Sequence, residues 1–157
     1  MSPTTNRTAA IRAATIDDVS QVAAIERDAF SDPWTQQSFE ELLRSRAAIF
    51  LIATVADTKA IAGYVIALNI ADMGEILNLA VAQSDRRQGL GGELLDAGIA
   101  AVEARGAREI FLEVRESNHA ARALYESRAF RGIGRRRGYY RVPVEDALLL
   151  KRELGPT

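Results

Sequence analysis

The sequence contains no cysteine and a single histidine, His119. The first absence removes disulfides, thiolate metal ligands and any cysteine acyl-enzyme. The second argues against a His-rich metal site or a histidine triad, so no metal is expected. Charge of one sign is not in excess: 20 Lys and Arg face 21 Asp and Glu, for a net charge of −1. No global field therefore draws the chain to nucleic acid or to an anionic membrane, and neither association is expected. Long hydrophobic runs are also missing. None approaches the roughly 20 residues that cross a bilayer, and the Thr-rich start has no apolar targeting segment. A cytoplasmic location is the expectation.

What is present is globular. The 157 residues are 48% apolar and 26% charged, enough for one domain with a core and too few for two ordinary ones. The expected organisation is a flexible tail over 1–10, one domain over 11–152, a second tail over 153–157, and a monomer.

Periodicity and punctuation predict the elements. A short strand over Ile11–Ala14 precedes a helix that Thr15 caps, with Asp17 and Asp18 in its first turn. Its inward residues are Val19, Val22 and Ala23, and it ends near Ala29. Pro33 breaks the chain, and Thr35 caps a second helix with Phe39, Leu42 and Leu43 on its apolar face. Three β-type runs follow, Ala48–Val55, Ala60–Leu68 and Gly74–Ala82, the first two joined through Asp57–Lys59 as a hairpin. Leu90–Arg105 is the clearest helix, with Leu94, Leu95, Ile99 and Val102 on one stripe. A strand over Glu109–Arg115, a helix over Asn118–Arg128 and strands over Phe130–Arg136 and Glu145–Lys151 complete the chain. The expected fold class is α/β (α+β): a mixed, mostly antiparallel sheet of about six to seven strands flanked by about four helices. Gly74–Ala82, its following helix and Glu109–Arg115 should form a parallel βαβ unit.

The most informative stretch is Leu77–Gly92, where an apolar strand runs into a glycine turn that opens a helix. Arg86-x-x-Gly89-x-Gly91 lies at that turn. Backbone N–H groups at a helix start lack intrahelical partners, and the helix dipole adds positive potential there. Glycines let a phosphate approach the backbone closely. A nucleotide-triphosphate loop would need Lys-Ser/Thr after the last glycine, where Glu93 and Leu94 stand. A dinucleotide fingerprint would need a third glycine in place of Leu94. Taken alone, the turn is open to a phosphate or to no ligand at all.

Arg86-x-x-Gly89-x-Gly91 after an apolar strand, with Asn118 and Tyr125 in the next helix, resembles the GCN5-related N-acetyltransferase (GNAT) superfamily. Five segments in order narrow the match: Asn78–Val81, Arg87–Gly91, Leu112–Asn118, Ala123–Ser127 and Arg136–Tyr140. Phe30–Trp34 near the start and Glu145–Ala147 near the end add to it. Together they resemble the RimI-type, ribosomal-protein-alanine branch over roughly residues 11–152. The resemblance implies acetyl-CoA as cosubstrate and the N-terminal alanine of a ribosomal protein, of the small-subunit protein eighteen type, as acceptor. It implies that Leu79, Ala80 and Val81 bond the pantetheine arm through their backbone. Arg86, Arg87, Gln88, Gly89, Leu90, Gly91 and Gly92 would hold the pyrophosphate, and Asn118 would lie near the thioester. Glu113 would be the general base and Tyr125 the general acid. Phe30, Trp34, Tyr139 and Tyr140 would flank the peptide.

The chemistry agrees with those residue types. The acceptor ammonium must lose a proton before it attacks, and the departing sulfur leaves more readily if it gains one. Glu113 lies between Leu112 and Val114, an apolar setting that should make it a stronger base than a surface carboxylate. An α-amine, with a pKa of about 7.7–8.0, is roughly a tenth neutral at pH 7, whereas a lysine amine is below about a thousandth neutral. A single modest base therefore suits an α-amine better, without excluding a lysine or a small amine. A silent acyl-CoA-binding module is a further alternative.

Plainer readings stay open. Glu113 could be an edge carboxylate paired with Arg115 or Arg131, Asn118 a simple helix cap, and Phe30 with Trp34 a hydrophobic staple. Arg135–Arg137 could be a solvated face or a patch that attracts a ribosomal tail or RNA. Finally, Arg128-Ala-Phe130 stands where the family has Leu-Gly-Phe, and alanine there should cost about 1 kcal/mol or shift the helix end.

Overall fold

The computed structural model describes residues 9–55 and 58–155. Residues 1–8 of the expected first tail, Asp57 of the expected connection, and residues 156 and 157 lie outside the described residues. Seven strands form one sheet: β1 (Ala9–Ala13), β2 (Ala48–Val55), β3 (Ile61–Ile70), β4 (Met73–Val81), β5 (Glu109–Arg115), β6 (Arg131–Arg141) and β7 (Val144–Glu153). Their order is β1-β2-β3-β4-β5-β7-β6. Among the described residues only β4 and β5 pair in parallel; every other pair is antiparallel. Among the described residues the four α-helices are α1 (Val19–Ala29), α2 (Gln36–Arg44), α3 (Leu90–Ala104) and α4 (His119–Ser127). The mixed, mostly antiparallel architecture expected from the sequence is the one observed.

Two cores flank the sheet. In one, Leu94, Leu95, Ile99 and Val102 of α3 pack on Val65, Ile76, Ile110 and Leu112, with Tyr125 of α4 and Phe130 at the end. In the other, Val19, Val22 and Ala23 of α1 and Phe39 of α2 pack on Phe50, Ile52, Tyr64 and Ile66. Both are mainly apolar layers, the usual source of most folding free energy, and the second also encloses the Glu26 carboxylate.

Several boundaries differ from expectation, for definable reasons. The chain enters α1 through a short 3₁₀ turn, Ile16–Asp18, where Asp18 accepts the Thr15 N–H at 2.7 Å and pairs with Arg12 at 2.8 Å. The first tail does not extend to residue 10: Ala9 and Ala10 pair with Val55 and Thr54. The second does not start at 153. Glu153 pairs with Glu109, and Leu154 is buried and donates its N–H to the Arg108 carbonyl at 2.8 Å. Strand β6 does not stop at Arg136. Its register breaks there and resumes at Tyr140, with Gly138 in the left-handed region and its N–H held by Asp146 at 2.9 Å. Tyr139 and Tyr140 therefore belong to a long hairpin and not to a loop.

The helix end at Ala129 keeps its usual form despite the missing glycine. Phe130 N–H bonds the Tyr125 carbonyl at 3.1 Å and Ala129 N–H bonds that of Glu126 at 3.1 Å, while Ala129 takes φ +65°. This is a Schellman cap, completed by the Tyr125 and Phe130 rings with centroids 5.8 Å apart. Alanine holds the left-handed conformation at a cost that glycine avoids. Ala129→Gly is expected to stabilise the protein by about 1 kcal/mol and raise Tm by about 3 °C. Calorimetry of the two proteins checks this, and a lower Tm would contradict it.

Candidate active site

The site begins where the parallel pairing stops. β4 and β5 pair from Met73–Glu109 to Ile76–Leu112 and no further. Leu77 is an extra residue in β4, since Ile66 faces Asn78 while Ala67 faces Ile76. Beyond that bulge the strands diverge, β4 staying with β3 and β5 with β7. The opening is a cleft of about 680 Å³.

Eight of the 17 expected site residues line it. Leu79 comes from β4, Glu113 from β5, and Asn118 and Tyr125 from α4. Phe30 and Trp34 come from the α1–α2 connection, and Tyr139 and Tyr140 from β6. The α1–α2 connection and the β6–β7 turn meet across the cleft, where the Ser31 hydroxyl donates to the Val142 carbonyl.

The remaining expected residues sit elsewhere. Ala80 is buried in the core beneath α1, and Val81 packs toward the α3 core. Arg86, Arg87, Gln88 and Gly89 lie in the turn between β4 and α3, with Gly89 at the N-cap, and Leu90, Gly91 and Gly92 open α3. Leu90 is a core residue, so its side chain faces inward. Arg86 turns back, donating Nε–H to the Val81 carbonyl at 3.1 Å. Arg87 and Gly89 both have positive φ, +66° and +80°, which curls the loop over the start of α3. Glu93 is the first residue whose N–H bonds back into the helix, to Gly89 O at 3.1 Å. The N–H groups before it have no intrahelical partner, as an anion-binding turn requires. A Cβ on Gly92 would lie 2.3 Å from an Arg128 guanidinium nitrogen, so a larger residue here would push the flexible end of Arg128 aside.

Glu113 is not in the apolar setting expected of it. Strand alternation buries Ile110, Leu112 and Val114 on one face and turns Glu113 to the other, into the cleft. Its partner is neither Arg115 nor Arg131: Arg136 Nε lies 3.3 Å from Glu113 Oε1. Arg115 instead pairs with Glu145 at 3.2 Å and donates to the carbonyls of Val142 and Pro143, and its guanidinium covers Tyr140 at 4.3 Å. Hydrogen bonding to Glu113 is the main cause that raises the Tyr139 pKa.

Tyr125 is 8% exposed. Burial, helped by Tyr140, pushes its hydroxyl up to about 12, so it stays protonated at neutral pH. Asn118 is a helix cap, accepting the Ala121 N–H at 3.1 Å, and also lines the cleft. Arg135–Arg137 is not a free basic patch, because Arg135 bonds Glu116 and Asp146, both at 2.9 Å, and Arg136 bonds Glu113.

The sequence reading missed Glu26. It is 1% exposed, yet its carboxylate accepts from the Tyr64 hydroxyl, from Asn78 Nδ2 at 2.6 Å and from the Trp34 N–H at 2.8 Å. It thus ties the peptide-side segment to β4 at the bulge. Asn78 also holds the Leu79 N–H, at 3.1 Å.

Among the described residues there is no cluster of three or more potential metal ligands and no helix long and apolar enough to cross a membrane.

Comparison with known proteins gives one pattern. The acetyltransferase (GNAT) family matches residues 19–130. A ribosomal protein bS18-alanine N-acetyltransferase of Escherichia coli K12 is 35% identical over 135 residues, covering 85% of this chain and 89% of that protein. An N-alpha-acetyltransferase of Saccharolobus solfataricus is 32% identical over 157 residues, covering 92% of each. The crystal structure of the Escherichia coli ribosomal-protein-alanine N-acetyltransferase superposes with a TM-score of 0.86 at 31% identity, covering 96% of both chains.

Proposed function

The chain belongs to the GNAT family of acetyltransferases and is an acetyl-CoA-dependent N-acetyltransferase, and from that premise we propose that it acetylates the N-terminal α-amine of a protein beginning with alanine, a ribosomal protein of the small-subunit eighteen type. The observation that carries the reading is the cleft between β4 and β5, lined by both Glu113 and the buried Tyr125, whose hydroxyl stays protonated.

The residues present suit the coenzyme. The unpartnered N–H groups from Arg87 to Gly92 would take the pyrophosphate, with Arg87 adding charge. The β4 edge past the bulge would pair with the pantetheine arm, displacing the Asn78 side chain from the Leu79 N–H. The coenzyme supplies an acetyl thioester.

Glu113 then takes a proton from the acceptor ammonium, directly or through one water. The neutral amine nitrogen forms its bond to the acetyl carbon as the bond from that carbon to sulfur breaks, and Tyr125 gives its proton to the departing sulfur. As the amide forms, the nitrogen releases its second proton; one of the two protons it has lost leaves Glu113 for solvent and the other, passed through water, restores Tyr125, so no covalent enzyme species is needed. Phe30, Trp34, Tyr139 and Tyr140 would hold the peptide start. The domain limits that fit this reading are residues 9–154, with the coenzyme turn and the peptide walls inside one unit.

An Ala-starting peptide and a lysine peptide with a blocked N-terminus, offered with acetyl-CoA, test the reading. The first is expected to react at least about 10²-fold faster, from the difference in neutral-amine fraction alone. Equal rates would point to a lysine or small-amine enzyme. Coenzyme binding without acetylation of any amine would point to a silent module.

A further inference from the structure

Glu75 stands in the same cleft as Glu113 and has no part in the scheme above. The β4–β5 register sets Glu75 beside Phe111, and Glu113 follows two residues on, so both carboxylates leave the sheet on one face. They repel: although Glu75 is exposed at the cleft edge, partial desolvation first, and the Glu113 charge second, raise its pKa, while Arg136 lowers it. One guanidinium serves both. Arg136 pairs with Glu113, lies 5.5 Å over the Tyr139 ring, and is 55% exposed on the edge strand β6.

The charges of Glu75, Glu113 and Arg136 do not cancel. Glu113 and Arg136 alone would be neutral, and Glu75 leaves the group with one negative charge in excess. A single ammonium, the charge of one peptide N-terminus, restores neutrality. We infer that Glu75 is a specificity-determining residue that makes the Glu113–Arg136 wall attractive to an acceptor carrying one ammonium, with Arg136 acting as the stand-in cation until the acceptor arrives. The inference rests on the α-amine reading above.

Steady-state kinetics with an Ala-starting peptide test it through charge. Glu75→Gln is expected to raise the peptide KM about tenfold with a smaller fall in kcat, the size of one partly screened charge pair. Its acetyl-CoA KM should stay at the parent value. The parent peptide KM should rise with ionic strength, and that dependence should flatten in Glu75→Gln. The double variant Glu75→Gln/Arg136→Gln regains the single negative charge, so its peptide KM should return toward the parent. A merely structural Glu75 would not be rescued by removing Arg136. An unchanged KM in Glu75→Gln, or no recovery in the double variant, overturns the inference while leaving the α-amine reading intact. A parent that acetylates no α-amine overturns both.

Discussion

Glu113→Gln is expected to lower kcat for an Ala-starting peptide by about 10²–10⁴-fold while leaving acetyl-CoA binding unchanged. Glutamine keeps the shape of the side chain but loses both the charge that pairs with Arg136 and the ability to take a proton. The residue lies on β5, which pairs with β7 throughout, so the cleft wall should hold its place. Raising the pH should recover part of the lost rate, because more of the acceptor then arrives as neutral amine and needs no base. Tyr125→Phe makes a useful comparison. With its hydroxyl up at about 12, Tyr125 does not titrate in the assay range, so the variant should be slower without a change in the shape of its pH profile. A Glu113→Gln enzyme running at the parent rate would remove Glu113 from the chemistry.

Glu26→Leu should be the most damaging substitution outside the catalytic pair. Leucine fits the apolar surroundings but leaves the Tyr64 hydroxyl, the Asn78 amide and the Trp34 N–H without their shared acceptor. Stranded buried donors of this kind cost about 3–5 kcal/mol together, which lowers Tm by roughly 10 °C in a protein of this size. Glu26→Gln keeps one carbonyl acceptor and should lose about half as much. The first variant should also raise the peptide KM, because the Trp34 segment loses its tie to β4. A Tm within two or so degrees of the parent would mean that water replaces the carboxylate without loss.

Glu26 also shows how far the sequence could be read. Val19, Val22 and Ala23 define the buried stripe of α1, and the next position on it, seven residues after Val19, is Glu26. A carboxylate on an apolar stripe signals a buried acceptor, but its donors come from β3, β4 and the α1–α2 connection, and local spacing cannot name them. Glu113 was legible as a residue and not as an environment. Alternation along β5 sends it away from Leu112 and Val114, and its partner Arg136 is brought near only by the order β5-β7-β6. The glycine turn was legible in both respects, since strand, turn and helix are contiguous in the chain. The ends of the domain were not. Ala9, Ala10, Glu153 and Leu154 carry weak local signals, and partners far along the chain hold them in place.

The function itself turns on which amine is acetylated in the cell. Mass spectrometry of ribosomal proteins from cells with and without this chain answers that directly. The expected result is an Ala-starting small-subunit protein acetylated on its α-amine only when the chain is present, and left free when Glu113→Gln replaces it. Full α-acetylation of that protein in cells lacking the chain, or a change confined to lysine side chains, would contradict the proposal.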